Sequence, residues 1–284
     1  MHDVSRAVLI TGCSTGIGAA TARHLVTRGW KVYATARRLE KLEDLAAAGC
    51  DTMTLDVTSE ESMRAAVRAV EEREGAVGVL INNAGYSQSG AVEEVSPQRL
   101  RQQFETNVFG TVRLTQLVLP AMRRQRWGRI VNVGSIAGRL TFPGGGIYHA
   151  TKHALEAVSD ALRFEVRAFG IDVVHIQPGL IRTHFSATAV GSMTANAPSS
   201  PYAALNESVA RLTHEAYTRG LLGKLAGDPE HAARVIARAV AARHPRPRYK
   251  VLLMSHLLLA LRAATTDRLW DTFLRAFYSE PRPR

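Results

Sequence analysis

The stretch Thr11-Gly12-Cys13-Ser14-Thr15-Gly16-Ile17-Gly18 decides the fold. It follows a short apolar run at residues 7–10 and leads into a helical pattern over 17–27. Glycine tolerates the left-handed backbone that a tight turn needs, and it lets a ligand approach the main chain. At a strand-to-helix turn the free N–H groups, together with the partial positive charge of the helix start, form a cradle for a pyrophosphate. Three glycines spaced G-x-x-x-G-x-G would be weak alone, because any tight turn uses glycine. The strand before and the helix after give the spacing its meaning. Gly12, Ser14, Thr15, Gly16, Ile17 and Gly18 are therefore candidate cofactor-binding residues.

Outward from this loop, short apolar runs alternate with longer helical patterns. Strands are expected at 7–11, 31–35, 51–55, 79–81, 129–133, 171–176 and 249–252, and helices at 17–27, 39–47, 62–74, 97–124 and 148–169. Most of these runs are continuously apolar, as when helices cover both faces of a sheet. The alternation implies an α/β chain with a doubly wound parallel sheet, a Rossmann fold. Residues 1–284 are expected to form a single domain. After Pro178-Gly179 the regularity stops: 184–201 is small, polar and proline-containing, the composition of a lid. Helical patterns return at 206–222 and 229–243, so that 184–245 forms the lid and the substrate-binding helices. A last strand and an amphipathic helix over 256–278 make 246–284 a C-terminal extension.

The end of the second strand bears on which nicotinamide cofactor fits. An acidic side chain there would hold the ribose 2′-hydroxyl of NAD. This chain has Ala36, then Arg37 and Arg38. A guanidinium binds a 2′-phosphate that a carboxylate would repel. The alternative is a pair of solvated arginines at a helix start. The expectation is NADP (NADPH) rather than NAD.

Tyr148 and Lys152 lie four apart at a helix start and share a face. A free phenol has a pKa of about 10. A neighbouring ammonium and a positively charged oxidised nicotinamide both favour phenolate and lower that value, making the group a proton donor in reduction and an acceptor in oxidation. Tyr-x-x-x-Lys is also a common solvated helix pair, but here it follows a glycine-rich loop and sits thirteen residues after Ser135. Ser135 follows an apolar strand and Gly134, where its hydroxyl can bond a substrate oxygen as charge develops. No G-x-S-x-G elbow surrounds it, which argues against a hydrolase nucleophile. Asn107 interrupts a helical run in which Asn is a poor former.

These residues, with Leu55-Asp56-Val57, Asn82-Asn83-Ala84-Gly85 and Pro178-Gly179, occur in an order and spacing that resembles the short-chain dehydrogenase/reductase family, over nearly the whole chain to about Arg243. The resemblance implies that Asn107, Ser135, Tyr148 and Lys152 are catalytic, with Asn107 holding a water that relays protons and Lys152 also binding the nicotinamide ribose. It implies that Asp56 and Val57 contact the adenine, Asn83 the sugar region, and Ile181 and Thr183 the carboxamide, with Ala84, Gly85, Pro178 and Gly179 also among the cofactor-binding residues. It also implies a homodimer or homotetramer joined through the helices at 97–124 and 148–169. The C-terminal part is similar to bacterial members grouped near steroid and retinol dehydrogenases.

Composition narrows the field further. The 284 residues carry a formal charge of +11, with 36 Lys+Arg against 25 Asp+Glu. From 227 to 284 there are eleven Arg/Lys against five Asp/Glu, interspersed with helix formers. No groove-reading motif or aromatic-and-basic platform accompanies them, so nucleic acid is not an expected partner. Cys13 and Cys50 have no metal-ligand spacing. His149 and His153 are spaced i,i+4 but lack a third ligand, and no metal is expected. There is no secretory pattern, and 251–261 is far short of the ~20 residues that span a bilayer. A cytoplasmic location is the default. The last helix sets leucines and aromatics beside Arg262, Arg268 and Arg275, a membrane-surface pattern, yet an apolar face packed on the core is the preferred reading.

Substrate choice should rest on the loop 139–147, the lid, 86–90 and the C-terminal helices, with Phe142, Phe185 and Met193 as the large side chains. A hydrophobic ketone or alcohol of steroid, retinoid or fatty type fits this lining. The alternatives are a 3-oxoacyl reductase whose basic surface meets an acidic carrier, and a non-catalytic NADP-binding redox sensor.

Overall fold

A computed structural model describes residues 4–183, 185–193, 200–218 and 226–281. Seven parallel strands form one sheet in the order β3-β2-β1-β4-β5-β6-β7. They are β1 (Val8–Ile10), β2 (Val32–Ala36), β3 (Asp51–Thr54), β4 (Val79–Asn82), β5 (Gly128–Val133), β6 (Ile171–Gln177) and β7 (Arg248–Lys250). The order reverses between β1 and β4, and the crevice beyond the carboxyl ends of strands at such a reversal is where ligands bind. The chain is a single-domain Rossmann-like fold whose C-terminal region is helical.

The five inner strands show no apolar–polar alternation because both their faces are covered, whereas the edge strands β3 (Asp-Thr-Met-Thr) and β7 (Arg-Tyr-Lys) are only half-buried. Val8 and Ile10 of β1 pack with Ala22 and Leu25 of α1 (Gly16–Val26) and with Ile236 and Val240 of the helix Pro229–Ala241. Leu9, pointing the other way, packs with Val67 of α3 (Glu60–Glu74), Leu114 and Val118 of α5 (Gly110–Arg124) and Val166 of α6 (Gly146–Val166). Each buried aliphatic side chain contributes about 1.5–3 kcal/mol by leaving water, so the two layers hold the sheet from both sides.

Three helical expectations need correction. The run 39–47 is a 3₁₀ turn, Leu39–Leu42, followed by a short α2 (Glu43–Ala47). The run 97–124 is α4 (Pro97–Phe104), a π turn at Glu105–Phe109, then α5. The widened turn contains Asn107, and such bulges are frequent at functional sites. The C-terminal run 256–278 is two helices, Leu253–Ala264 and Asp267–Arg275, because Thr266 caps the second: its hydroxyl accepts from Leu269 N at 3.4 Å.

The remaining helices are α7 (Phe185–Gly191) and α8 (Ala203–Thr218), then α9 (Pro229–Ala241), α10 (Leu253–Ala264) and α11 (Asp267–Arg275). Residues 184 and 194–199 of the expected lid, the Phe185 side chain and residues 219–222 of the expected helix lie outside the described residues. The packed apolar face expected at the C-terminus is only partly present. Trp270 is 5 % exposed, whereas Leu253, Leu257, Leu261, Leu269 and Phe277 are exposed. Among the described residues no helix is long and apolar enough to cross a membrane.

Candidate active site

The glycine loop leaves β1 with Gly12 and Gly16 at φ +71° and +63°, a conformation that favours glycine. A Cβ on Gly18 would lie 2.4 Å from the Gly12 carbonyl oxygen, so that position must also stay bare. Thr15 precedes α1 and its side chain makes no capping hydrogen bond, leaving the first-turn N–H groups facing the crevice. Ser14 and Thr15 are exposed beside them. Cys13 is buried and burial pushes its thiol up to about 12, so it packs rather than reacts.

Asn83 holds this loop from the next strand. Its Nδ2 donates to the carbonyls of Thr11 at 2.9 Å and Gly12 at 3.1 Å. In return Thr11 Oγ1 accepts from the N–H of Asn83 at 3.0 Å and of Ala84 at 2.9 Å. Arg37 and Arg38 stand exposed just past β2, and Arg38 has a loose partner in Glu40 at 3.5 Å. Asp56 Oδ1 accepts from Thr58 N and Oγ1 at 2.9 and 2.8 Å, which fixes the turn after β3. Val57 is buried, and its carbonyl would lie 2.3 Å from a Cβ on Gly110. Across the crevice, the Thr183 side chain would lie 3.2 Å from a Cβ on Gly16. Ile181 is buried and bridges to Gly227. The glycine cradle, the exposed helix start and the two arginines fit a dinucleotide phosphate.

The four candidate catalytic residues converge at the carboxyl end of β5. Ser135 caps the 3₁₀ turn Ile136–Gly138, its Oγ accepting from Ala137 N at 3.1 Å, and it hydrogen-bonds Tyr148. Lys152 is buried, donates to the Val133 carbonyl at 2.9 Å and sits 5.7 Å from the Tyr148 ring centroid. Burial lowers its ammonium to about 8. Asn107 donates to the Tyr86 carbonyl at 3.0 Å and to Thr151 Oγ1 at 3.1 Å, and accepts from Tyr86 N at 3.1 Å. A Cβ on Gly85 would lie 3.1 Å from Asn107 Oδ1 and 3.9 Å from Lys152 Nζ, so the bare glycine separates amide and ammonium.

One expectation is corrected. In this structure burial pushes the Tyr148 phenol above its ordinary value, and the Ser135 hydrogen bond pulls it back only in part. The desolvation of the phenolate outweighs its neighbours.

Several neighbours carry no motif. Thr151 links Asn107 to α6 by donating to the Tyr148 carbonyl at 2.7 Å. Tyr217, from α8, acts electrostatically on Tyr148, and burial pushes its own phenol up to about 12. Ser192 ties the lid to the loop after β4: its Oγ accepts from Ser89 N and its carbonyl from Gln88 Nε2, both at 2.8 Å. These contacts span more than a hundred residues, so no local spacing announces them.

The histidine pair does other work. His149 Nδ1 bonds the Leu140 carbonyl and His153 Nδ1 the His149 carbonyl, each at 2.9 Å. Among the described residues no group of three His, Cys, Asp or Glu could hold a metal ion. A cavity of about 420 Å³ lies behind the loop 139–146, lined by Phe142, His153, Arg262, Trp270 and others, but not by Ser135, Tyr148 or Lys152.

Comparison with known proteins identifies the family. The family model for short chain dehydrogenase matches residues 6–193. The oxidoreductase YbbO of Escherichia coli (strain K12) is 33% identical over 96% of this chain and 95% of its own length. The 3-ketodihydrosphingosine reductase of Bacteroides thetaiotaomicron is 34% identical over 96% and 97%. A crystal structure of a short-chain dehydrogenase from Streptomyces avermitilis superposes with a TM-score of 0.77 at 35% identity, covering 96% of this chain and 98% of that one. A family-model match over about two thirds of the sequence, relatives matched over nearly their whole length and a superposing fold make this chain an oxidoreductase of the short-chain dehydrogenase/reductase family.

Proposed function

We propose that the protein is an NADP-dependent carbonyl reductase and alcohol dehydrogenase acting on a hydrophobic substrate. The observation that carries this reading is the Ser135–Tyr148 hydrogen bond with Lys152 5.7 Å from the phenol ring, at the switch-point crevice beside the glycine cradle. The bound nicotinamide supplies the hydride in reduction and takes it in oxidation. Tyr148 gives its hydroxyl proton to the carbonyl oxygen in reduction and takes the alcohol proton in oxidation. Ser135 bonds the same oxygen as its charge grows. Lys152 holds the ribose and keeps positive charge beside the phenol, and Asn107 relays protons through a water. Arg37 and Arg38 take the 2′-phosphate, and Asp56, Val57, Asn83, Ala84 and Gly85 the adenosine side. Pro178, Gly179, Ile181 and Thr183 would hold the nicotinamide end.

Two features support a lipophilic substrate. The loop 139–147 is largely small and apolar, and a full-length relative bears the name of a reductase of 3-ketodihydrosphingosine, a lipid ketone. The basic charge of +11 favours one competing reading, a 3-oxoacyl reductase meeting an acidic carrier. NADPH consumption across free lipophilic ketones, sugar ketones and carrier-bound 3-oxoacyl thioesters, with NADH alongside, tests both. The proposal expects kcat/KM to be highest for a free lipophilic ketone with NADPH. A preference for the thioester moves the assignment to the second reading, and a preference for NADH removes the arginine argument.

A further inference from the structure

A row of polar groups runs across the sheet beneath the candidate catalytic residues. Asn82, Asn132 and His175 stand opposite one another on β4, β5 and β6, and Arg248 follows on β7. Asn82 Nδ2 donates to Asn132 Oδ1 at 2.9 Å, Asn132 Nδ2 to Ser159 Oγ at 2.9 Å, and Ser159 Oγ meets His175 Nδ1 at 3.0 Å. The row ends on Glu156, a buried carboxylate one helical turn beyond Lys152 on α6. Glu156 accepts from Gln177 Nε2 at 2.6 Å, Arg248 Nε at 2.9 Å and Arg139 Nε at 3.3 Å; His175 Nε2 packs 3.2 Å from its Oε1 without a hydrogen bond.

The turn that presents Ser135 rests on this row at both ends. A Cβ on Gly134 would lie 1.9 Å from His175 Nε2. One on Gly138 would lie 2.8 Å from the Lys152 carbonyl and 2.9 Å from Glu156 Cγ. The bare glycines thus seat the turn directly on the imidazole and on the α6 backbone. A buried carboxylate costs several kcal/mol of desolvation unless its partners are in place, so the network is well determined or not formed at all.

We propose that Glu156, packed against Gly138 and beside His175, is a positioning residue for the reaction: it fixes the Ser135 turn against the helix that carries Tyr148 and Lys152. This rests on the proton-transfer roles proposed above. Glu156 touches no reacting atom; it sets the distance between two elements that do. A misplacement of about 1 Å at a reacting centre can cost about 100-fold in rate.

A double-mutant cycle with Ser135 tests it. Glu156→Gln keeps the shape but replaces one acceptor oxygen by a donor facing Arg139, Arg248 or Gln177. The expected result is a kcat reduced between about 10- and 100-fold, with the NADPH dissociation constant unchanged. In a Ser135→Ala background the same substitution should cost little more, because there is no hydroxyl left to misplace. Fully additive losses, or a wild-type kcat in Glu156→Gln, overturn the inference. If Glu156→Gln does not fold, His175→Gln takes its place in the cycle with the same two readings. Ser135→Ala at wild-type kcat is a separate outcome: it removes the proton-transfer reading itself, and this inference with it.

Discussion

Lys152 shows how burial and function pull on one residue. Its ammonium is sunk beneath Gly85 with the Val133 carbonyl as acceptor, and burial brings it down to about 8. The sign follows directly: below that pH the side chain is a cation, and above it the positive charge next to the phenol and the ribose site is lost. NADPH affinity of the cofactor-free protein should fall as pH rises through about 8, and Lys152→Met should be weak and flat across that window. Fluorescence titration of NADPH at several pH values reads this, and an unaltered slope in Lys152→Met contradicts it. Arg37 and Arg38 make a second residue-level prediction. Each charge-assisted hydrogen bond is worth about 1.5–3 kcal/mol, so Arg37→Ala and Arg38→Ala together should cut the preference for NADPH over NADH by at least about 10-fold. Steady-state kcat/KM with both cofactors decides. Tyr148, Lys152 and Ser135 were legible in the sequence because helical spacing and a strand end are local facts. The work of Asn83 and Glu156 was not, because their partners lie at the ends of other strands.

Elements were legible where hydrophobic period and caps agreed. The seven strands were found within a residue or two; the five inner ones are plain apolar runs between turns, and the edge strands β3 and β7 follow from their place in the strand–helix alternation. The breaks inside long helices were missed. At 105–109 the sequence stays helical in composition, and the π turn is set by packing, with Asn107 bonding Tyr86 and Thr151 from neighbouring elements. At the C-terminus the helix stops at the β-branched pair Thr265-Thr266, where Thr266 caps the next helix, a local break that the apolar pattern on both sides hides. α11 is held by Trp270, whose ring stacks with Phe273 at 5.2 Å and meets Phe142 at 6.0 Å, and whose Nε1 donates to the Thr141 carbonyl at 3.4 Å. Phe142 in turn meets His149, beside Tyr148. Trp270→Ala should therefore lower stability by about 3–5 kcal/mol and loosen the loop 139–146. Hydrogen exchange should show faster amide exchange confined to that loop and α11; protection equal to wild type would contradict the docking described for Trp270.

At the scale of the molecule, the helices expected to join subunits do present apolar side chains. Phe164 on α6 is 83 % exposed, and Phe109 and Leu100 lie exposed on the π turn and α4. If these faces join subunits as the family resemblance implies, Phe164→Asp should shift the mass measured by light scattering toward the monomer. An unchanged mass would place the interface elsewhere. The fold class was the most legible feature of all, because one glycine loop between a strand and a helix constrains everything that follows it. The central claim is narrower: a phenol held by Ser135 beside Lys152 moves the proton. It is tested most directly by NADPH oxidation with a lipophilic ketone in wild type and Tyr148→Phe, with NADPH binding measured on the same samples. The account predicts a kcat lowered by roughly three orders of magnitude or more at an unchanged dissociation constant. Turnover equal to wild type in Tyr148→Phe contradicts it.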